Sequence, residues 1–148
     1  MPLRPKTLSR RYTYKVSKPV KFLDFSGRSH IFNFSKICRE SPNPSGLHLS
    51  ARKVLRTQFP HSSIYEEVTL LGTGLVADFF IPDLKVMVEV HGEQHYKFIK
   101  HFHKTVGGFT ASQKRDRLKQ EWCALNDVVY VELPFDSKDK WAKILRGL

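Results

Sequence analysis

A chain of 148 residues, 41% hydrophobic and 26% charged, has the length and composition of one globular domain with a real core. No run nears the roughly 20 apolar residues that span a bilayer, the basic start MPLRPKTLSRRYTYK lacks the apolar stretch of a secretory signal, and two cysteines in no metal-type spacing point to a reducing, cytoplasmic setting. The net charge of +11 sits in the front: residues 1–60 hold 13 Lys and Arg against Asp24 and Glu40, while residues 61–148 hold 12 of each sign.

That asymmetry makes a polyanion the expected partner. A membrane surface is disfavoured because no helix with a wide apolar face accompanies the charge; plain solubility and an organellar transit peptide are the blander readings. Residues 1–19 read as a flexible basic arm carrying Arg10 and Arg11. VKFLDFSGRSHIFNF alternates about Ser26-Gly27 as a hairpin bearing Arg28, and SKICRE follows as a short helix. SPNPSG (41–46) is the expected joint, so residues 1–46 are expected to form a nucleic-acid-binding segment and residues 47–148 a core. HLSARKVLRTQF is a helix with Leu49, Val54, Leu55 and Phe59 inward, Arg52 and Lys53 outward, and Pro60 as its stop.

The period then changes to two. SIYEEVTLL, LVADFFI and LKVMVEV are strands, joined by GTG and by a Pro82-Asp83 turn. Residues 97–108 read as a mobile loop. FTASQKRDRLKQEWCALN is a helix with Leu118, Trp122 and Leu125 inward, VVYVELP a fourth strand, and SKDKWAKILRGL a closing helix. The order predicts an α/β fold, a mixed central sheet flanked by helices, with the basic hairpin and helix appended.

Asp78, amid apolar and aromatic neighbours, and Glu89, inside VMVEV, are the anomalies. An ionised carboxylate in such a run is expensive unless it is paired or binds a metal. Adjacent strands bring the two together, and two close anions repel unless a divalent cation lies between them. Hard oxygen donors suit Mg²⁺, with Mn²⁺ able to substitute, and such an ion activates water against a phosphodiester. A salt-bridged pair of acids, with Arg115 or Lys119 as partner, is the competing structural reading. His91 shares the Glu89 face, and beyond Gly92 the chain can aim Gln94 and His95 at the same place. Zinc held by His91, His95, His101 and His103 is a weaker reading, because their spacing matches no zinc motif.

These residues resemble a known pattern. ADFFIPDLKVMVEVHGEQHY is similar to the signature of the PD-(D/E)XK, or restriction-endonuclease-like, superfamily. With QKRDRLKQEWCALN it resembles small phage and viral nucleases related to very-short-patch-repair and homing endonucleases; there R-D-x-x-K and a cysteine recur, matching Arg115, Asp116, Lys119 and Cys123. The resemblance implies that Asp78 and Glu89 ligate the metal and that the position two after Glu89 carries a lysine. Here it is His91, which Gln94 would assist. Glu67, or else Glu66, would complete the acids. Lys114, Arg115 and Lys119 would contact phosphate.

The expectation is a Mg²⁺-dependent DNA endonuclease of phage or homing type, acting in an infected or bacterial cell as a homodimer or larger homo-oligomer. The alternatives are a nucleic-acid-binding protein with an inactivated nuclease fold, or a nuclease for RNA or branched DNA.

Overall fold

The protein, a computed structural model, is described over residues 18–36, 40–93 and 106–148, the side chains of 106–109 excepted. Arg10, Arg11, Gln94, His95, His101 and His103 lie outside the described residues. Strands β1 (Val20–Leu23) and β2 (Ser29–Phe32) pair antiparallel around the Ser26-Gly27 turn, and a 3-10 turn, Phe34–Lys36, follows where a short helix is expected. Helix α1 (Gly46–Gln58) begins at Ser45, whose side chain accepts from the His48 N–H. Then come β3 (Tyr65–Leu70), β4 (Leu75–Ile81) and β5 (Val86–His91), helix α2 (Val106–Leu125), β6 (Val129–Pro134) and helix α3 (Trp141–Arg146).

Four strands form one mixed sheet in the order β3-β4-β5-β6, antiparallel except for the parallel β5–β6 pair. The fold is mixed α/β, with the expected order of elements from α1 to α3. Between β4 and β5 the turn Pro82–Leu84 is a single 3-10 turn closed by Lys85 in the left-handed region.

Each sheet face carries its own core. One packs Tyr65, Val68, Leu70, Ala77, Phe80 and Met87 against Trp122 and Cys123 of α2. The other packs Phe79, Ile81, Val86, Val88, Val131 and Leu133 against Ala51 and Leu55 of α1 and Trp141 and Leu145 of α3. Strand β5 feeds both, which is why its apolar run is nearly continuous. Each large side chain fully buried here contributes about 1.5–3 kcal/mol.

The hairpin is built into the first core. Phe22 lies 5.1 Å from both the Phe32 and Trp122 rings, and Phe34 stacks on Phe80 at 5.6 Å. Asn126 bonds both the N–H and the C=O of Leu23. The hairpin and the sheet therefore share one core.

Three local expectations are corrected. Leu49 is 46% exposed, because the phase of α1 is set by His48, Ala51 and Leu55, with His48 stacked 4.3 Å from Phe79. Leu125 is 45% exposed; it ends α2 where Asn126 turns toward the hairpin. Helix α2 also starts at Val106, inside the expected loop.

Gly72 in the β3–β4 turn has φ +82°, and a Cβ there would come within 2.5 Å of His30 Nε2 and 2.8 Å of Asp24 Oδ2. Those two groups already lie 2.8 Å apart, fixing the hairpin loop. Gly72→Ala therefore combines a left-handed backbone with a clash, and a loss of about 2 kcal/mol is expected in denaturant unfolding. Gly27→Ala, with φ +87° and no atom near the added carbon, carries only the backbone part, about 1 kcal/mol.

Candidate active site

Strands β4 and β5 pair through Phe79↔Val88, Phe80↔Met87 and Ile81↔Val86, and the next pair in register is Asp78 opposite Glu89. Here the ladder of backbone bonds gives way to side chains. The Asp78 N–H donates to Glu89 Oε2 at 2.8 Å, and the Val90 N–H donates to Asp78 Oδ2 at 2.9 Å. The two carboxylates thus take over acceptor places that carbonyls fill elsewhere in the sheet, and each is fixed by the partner strand. The same row extends in both directions. Glu89 is in register with Glu132 on β6, and Glu67 lies opposite Asp78, between the Glu66↔Phe79 and Val68↔Ala77 pairs. One acidic residue from each strand thus falls at this register level, Glu67 with its side chain exposed.

Helix α2 closes the site from above. Lys119 Nζ donates to Glu89 Oε1 at 2.7 Å, with the carboxylate only 1% exposed. One turn earlier, Asp116 Oδ1 is 3.8 Å from His91 Nε2, while Glu132 Oε2 is 3.3 Å from His91 Nδ1. Tyr130 Oη lies 3.4 Å from His91 Nε2. The imidazole is 3% exposed and held between two carboxylates. Burial, then the Asp78 charge, push the Glu89 carboxyl up to about 7, against the pull of Lys119.

The placement of the sequence-derived candidates is uneven. Asp78, Glu89 and His91 come together; Gln94 and His95 lie outside the described residues. Glu67 is exposed with φ 50°, whereas its neighbour Glu66 is buried and taken up by His48, Arg52 and the Ser41 N–H. Arg52 is thereby a core ion-pair residue rather than an outward cation, because Glu66 inside the protein needs its charge. Arg28, Lys53, Lys114 and Arg115 are exposed, with Arg115 donating to Ser112 Oγ. Lys119 turns inward to Glu89. Asp116, which the resemblance matches as part of R-D-x-x-K without giving it a role, and Glu132, which sequence reasoning misses, join the site; the signal for Glu132 is an acid alternating with Tyr130 on the inner face of a short strand. Cys123 is buried with its thiol pushed up to about 12, by burial first and then by Glu89, so it is no nucleophile.

The donor set fits a hard divalent cation. Asp78 Oδ1 accepts no hydrogen bond among the described residues, and Asp78 and Glu89 repel each other in a buried setting, a conflict that a cation between them removes.

No established family profile matches the chain, and no solved structure resembles it. It is similar to three viral proteins: uncharacterized protein 307L of Invertebrate iridescent virus 6, 48% identical over 65 residues covering 44% of this chain and 33% of that protein; uncharacterized protein 033L of Invertebrate iridescent virus 3, 38% identical over 69 residues covering 47% and 36%; and uncharacterized protein 094L of Frog virus 3, 32% identical over 71 residues covering 46% and 44%. The matches span less than half the length of each of these relatives. Among the described residues no helix is long and apolar enough to cross a membrane.

Proposed function

We propose that the protein is a divalent-metal-dependent DNA endonuclease of viral type, working inside an infected cell. The observation that carries this reading is the pairing of buried Glu89 with half-buried Asp78, fixed across two strands with an ammonium group 2.7 Å from Glu89. Asp78 and Glu89 would hold Mg²⁺, or Mn²⁺ in its place. When bound, the ion supplies Lewis acidity toward a phosphodiester and a more acidic water.

The chain's own groups do the rest. Lys119 reaches the site from α2, and it stands in for the lysine that the PD-(D/E)XK resemblance expects where this chain has His91. Its ammonium is placed to meet negative charge building on a phosphate oxygen. His91, between Asp116 and Glu132, is placed to hold or pass a proton at its ring nitrogens. Exposed Lys114 and Arg115, beside Asp116 on α2, with Lys53 and Arg28, provide phosphate contacts whose affinity falls with added salt. Cutting both strands of a duplex calls for two such centres, hence a homodimer at work.

The test is nicking of supercoiled plasmid with Mg²⁺ or Mn²⁺ by the wild type, Asp78→Asn and Lys119→Met. Each variant is expected to lose about a hundredfold or more in rate while still retarding the same DNA in a gel. Wild-type binding without cleavage under either metal would favour the second reading, a nucleic-acid-binding protein with a silent site. That reading draws on the fact that both carboxylates are already bonded to backbone N–H groups. Four-way junction and RNA run in parallel decide the substrate.

A further inference from the structure

Asp78 lies on one side of Glu89; a different ligand set lies on the other. Glu89, His91 and Asp116 each bring a ligand atom within 4.8 Å of the others, and two of the three residues are buried. We propose that these three residues bind a divalent transition metal of the Mn²⁺, Co²⁺ or Zn²⁺ class, at a second position that shares Glu89 with the Asp78 pair.

The chemistry separates this position from the first. Carboxylates alone suit Mg²⁺, but an imidazole in the set favours transition metals, which bind ring nitrogen far better than Mg²⁺ does. The surroundings of His91 are those of a metal-bound histidine. Glu132 sits 3.3 Å from Nδ1, where it holds the Nδ1–H and leaves Nε2 as the ligand nitrogen on the side of Asp116, 3.8 Å away, where a metal would displace the Tyr130 hydroxyl 3.4 Å from it. A carboxylate behind the imidazole of this kind fixes the tautomer and raises ligand basicity. Register puts Glu132 there, since it pairs with Glu89 across the β5–β6 ladder, while the helical turn between Asp116 and Lys119 brings Asp116 over His91.

Lys119 sharpens the proposal. Its ammonium is 2.7 Å from Glu89 Oε1, so it competes with any cation for that oxygen. Removing it is expected to tighten metal binding even though it removes a group from the site.

Co²⁺ is the probe, because its visible absorption reports nitrogen ligation without any need for cleavage. Titration of the full chain is expected to give a Co²⁺ spectrum that persists in excess Mg²⁺. Asp116→Asn and His91→Gln should each weaken Co²⁺ binding about tenfold or more, Lys119→Met should strengthen it, and Asp78→Asn should leave it within a few-fold. Near-UV circular dichroism checks that each variant is folded; Asp116, on the helix surface with 14% side-chain exposure, is the variant least tied to the core. Folded Asp116→Asn that binds Co²⁺ as well as the wild type overturns the proposal, as does a spectrum lost to equimolar Mg²⁺. The outcome is independent of the nuclease reading. Metal binding that depends on His91 and Asp116 in a protein that cuts nothing keeps this site and loses that reading; Mg²⁺-dependent cutting with no such binding does the reverse.

Discussion

Glu89→Gln is expected to yield a protein that melts several degrees above the wild type at pH 8 without metal, and that cuts no DNA. Glu89 is buried beside Asp78, and its carboxyl is pushed up to about 7 from an ordinary 4.5, chiefly by burial and then by that neighbour. The sign follows from proton counting. Between those two values the folded state binds more protons at this position than the unfolded state does, so its contribution is full below about pH 4.5 and is lost as pH rises through about 7. Glutamine does not titrate, so the variant escapes the loss; with its oxygen kept for Lys119, its amide nitrogen faces the Asp78 N–H in place of the accepting Oε2, and that lost acceptor, about 1–3 kcal/mol, offsets part of the gain. A shift of several degrees corresponds to about 1–2 kcal/mol in a domain of this size. Melting followed by circular dichroism from pH 4.5 to 8.5 is the measurement. The wild-type curve should fall relative to the variant across that range, and Mg²⁺ should restore much of the gap for the wild type alone, because the cation replaces the proton. Parallel curves, with or without Mg²⁺, would sink the claim that Glu89 is a strained ligand. The combination, greater stability with lost function, is the mark of a residue kept for chemistry.

Much of this site could be read from the chain because strands make sequence parity visible. Asp78 and Glu89 stood out as carboxylates in apolar strands, and the tight turn at Pro82-Asp83 brought them into register. His91 followed from the period of two. The contribution of α2 was harder to read, because a helix turns its face by 100° per residue and its phase against the sheet is not written in its own residues. QKRDRLKQ offers Arg115 and Lys119 alike as ion-pair partners of the acids or as phosphate contacts; the ion pair forms through Lys119, to Glu89, while Arg115 is exposed, and Asp116 meets His91 because Trp122 and Cys123 fix the rotation of the helix in the core. The same lack of phase put Leu49 and Leu125 on the wrong side. Arg52 turns inward where its helix pattern places it outward, for a related reason: its partner Glu66 lies 14 residues away, and no local pattern links them. The hairpin was read as an appendage from its charge, whereas the inward Phe22 and Phe32 tie it to the sheet.

Glu66 and Glu67, adjacent on β3, are expected to fail in opposite ways when changed. Burial alone would raise the Glu66 carboxyl, yet hydrogen bonds from His48, Arg52 and the Ser41 N–H bring it down to about 2. Oε1 accepts from Ser41 at 2.8 Å, His48 at 2.8 Å and Arg52 at 2.8 Å, and Oε2 from Arg52 at 2.7 Å. Glu66→Ala strands the guanidinium, 17% exposed, and the imidazole that stacks on Phe79, so a loss of about 3–5 kcal/mol is expected. Since the folded value is depressed, the wild-type contribution holds above the ordinary 4.5 and is lost as pH falls toward 2; the gap between wild type and variant should narrow on acidification. Glu67 stands in the left-handed region, exposed, at the register position opposite Asp78. Nothing in the core leans on its side chain, so Glu67→Gln should keep stability within about 0.5 kcal/mol while lowering the rate of metal-dependent plasmid nicking. Urea unfolding and nicking rates, measured on both variants, decide between the two acids. If Glu67→Gln cuts as fast as the wild type, the row of carboxylates that matters begins at Asp78; if it is slow and fully folded, β3 supplies the third acid, and the Glu66 network is what holds that strand in place for it.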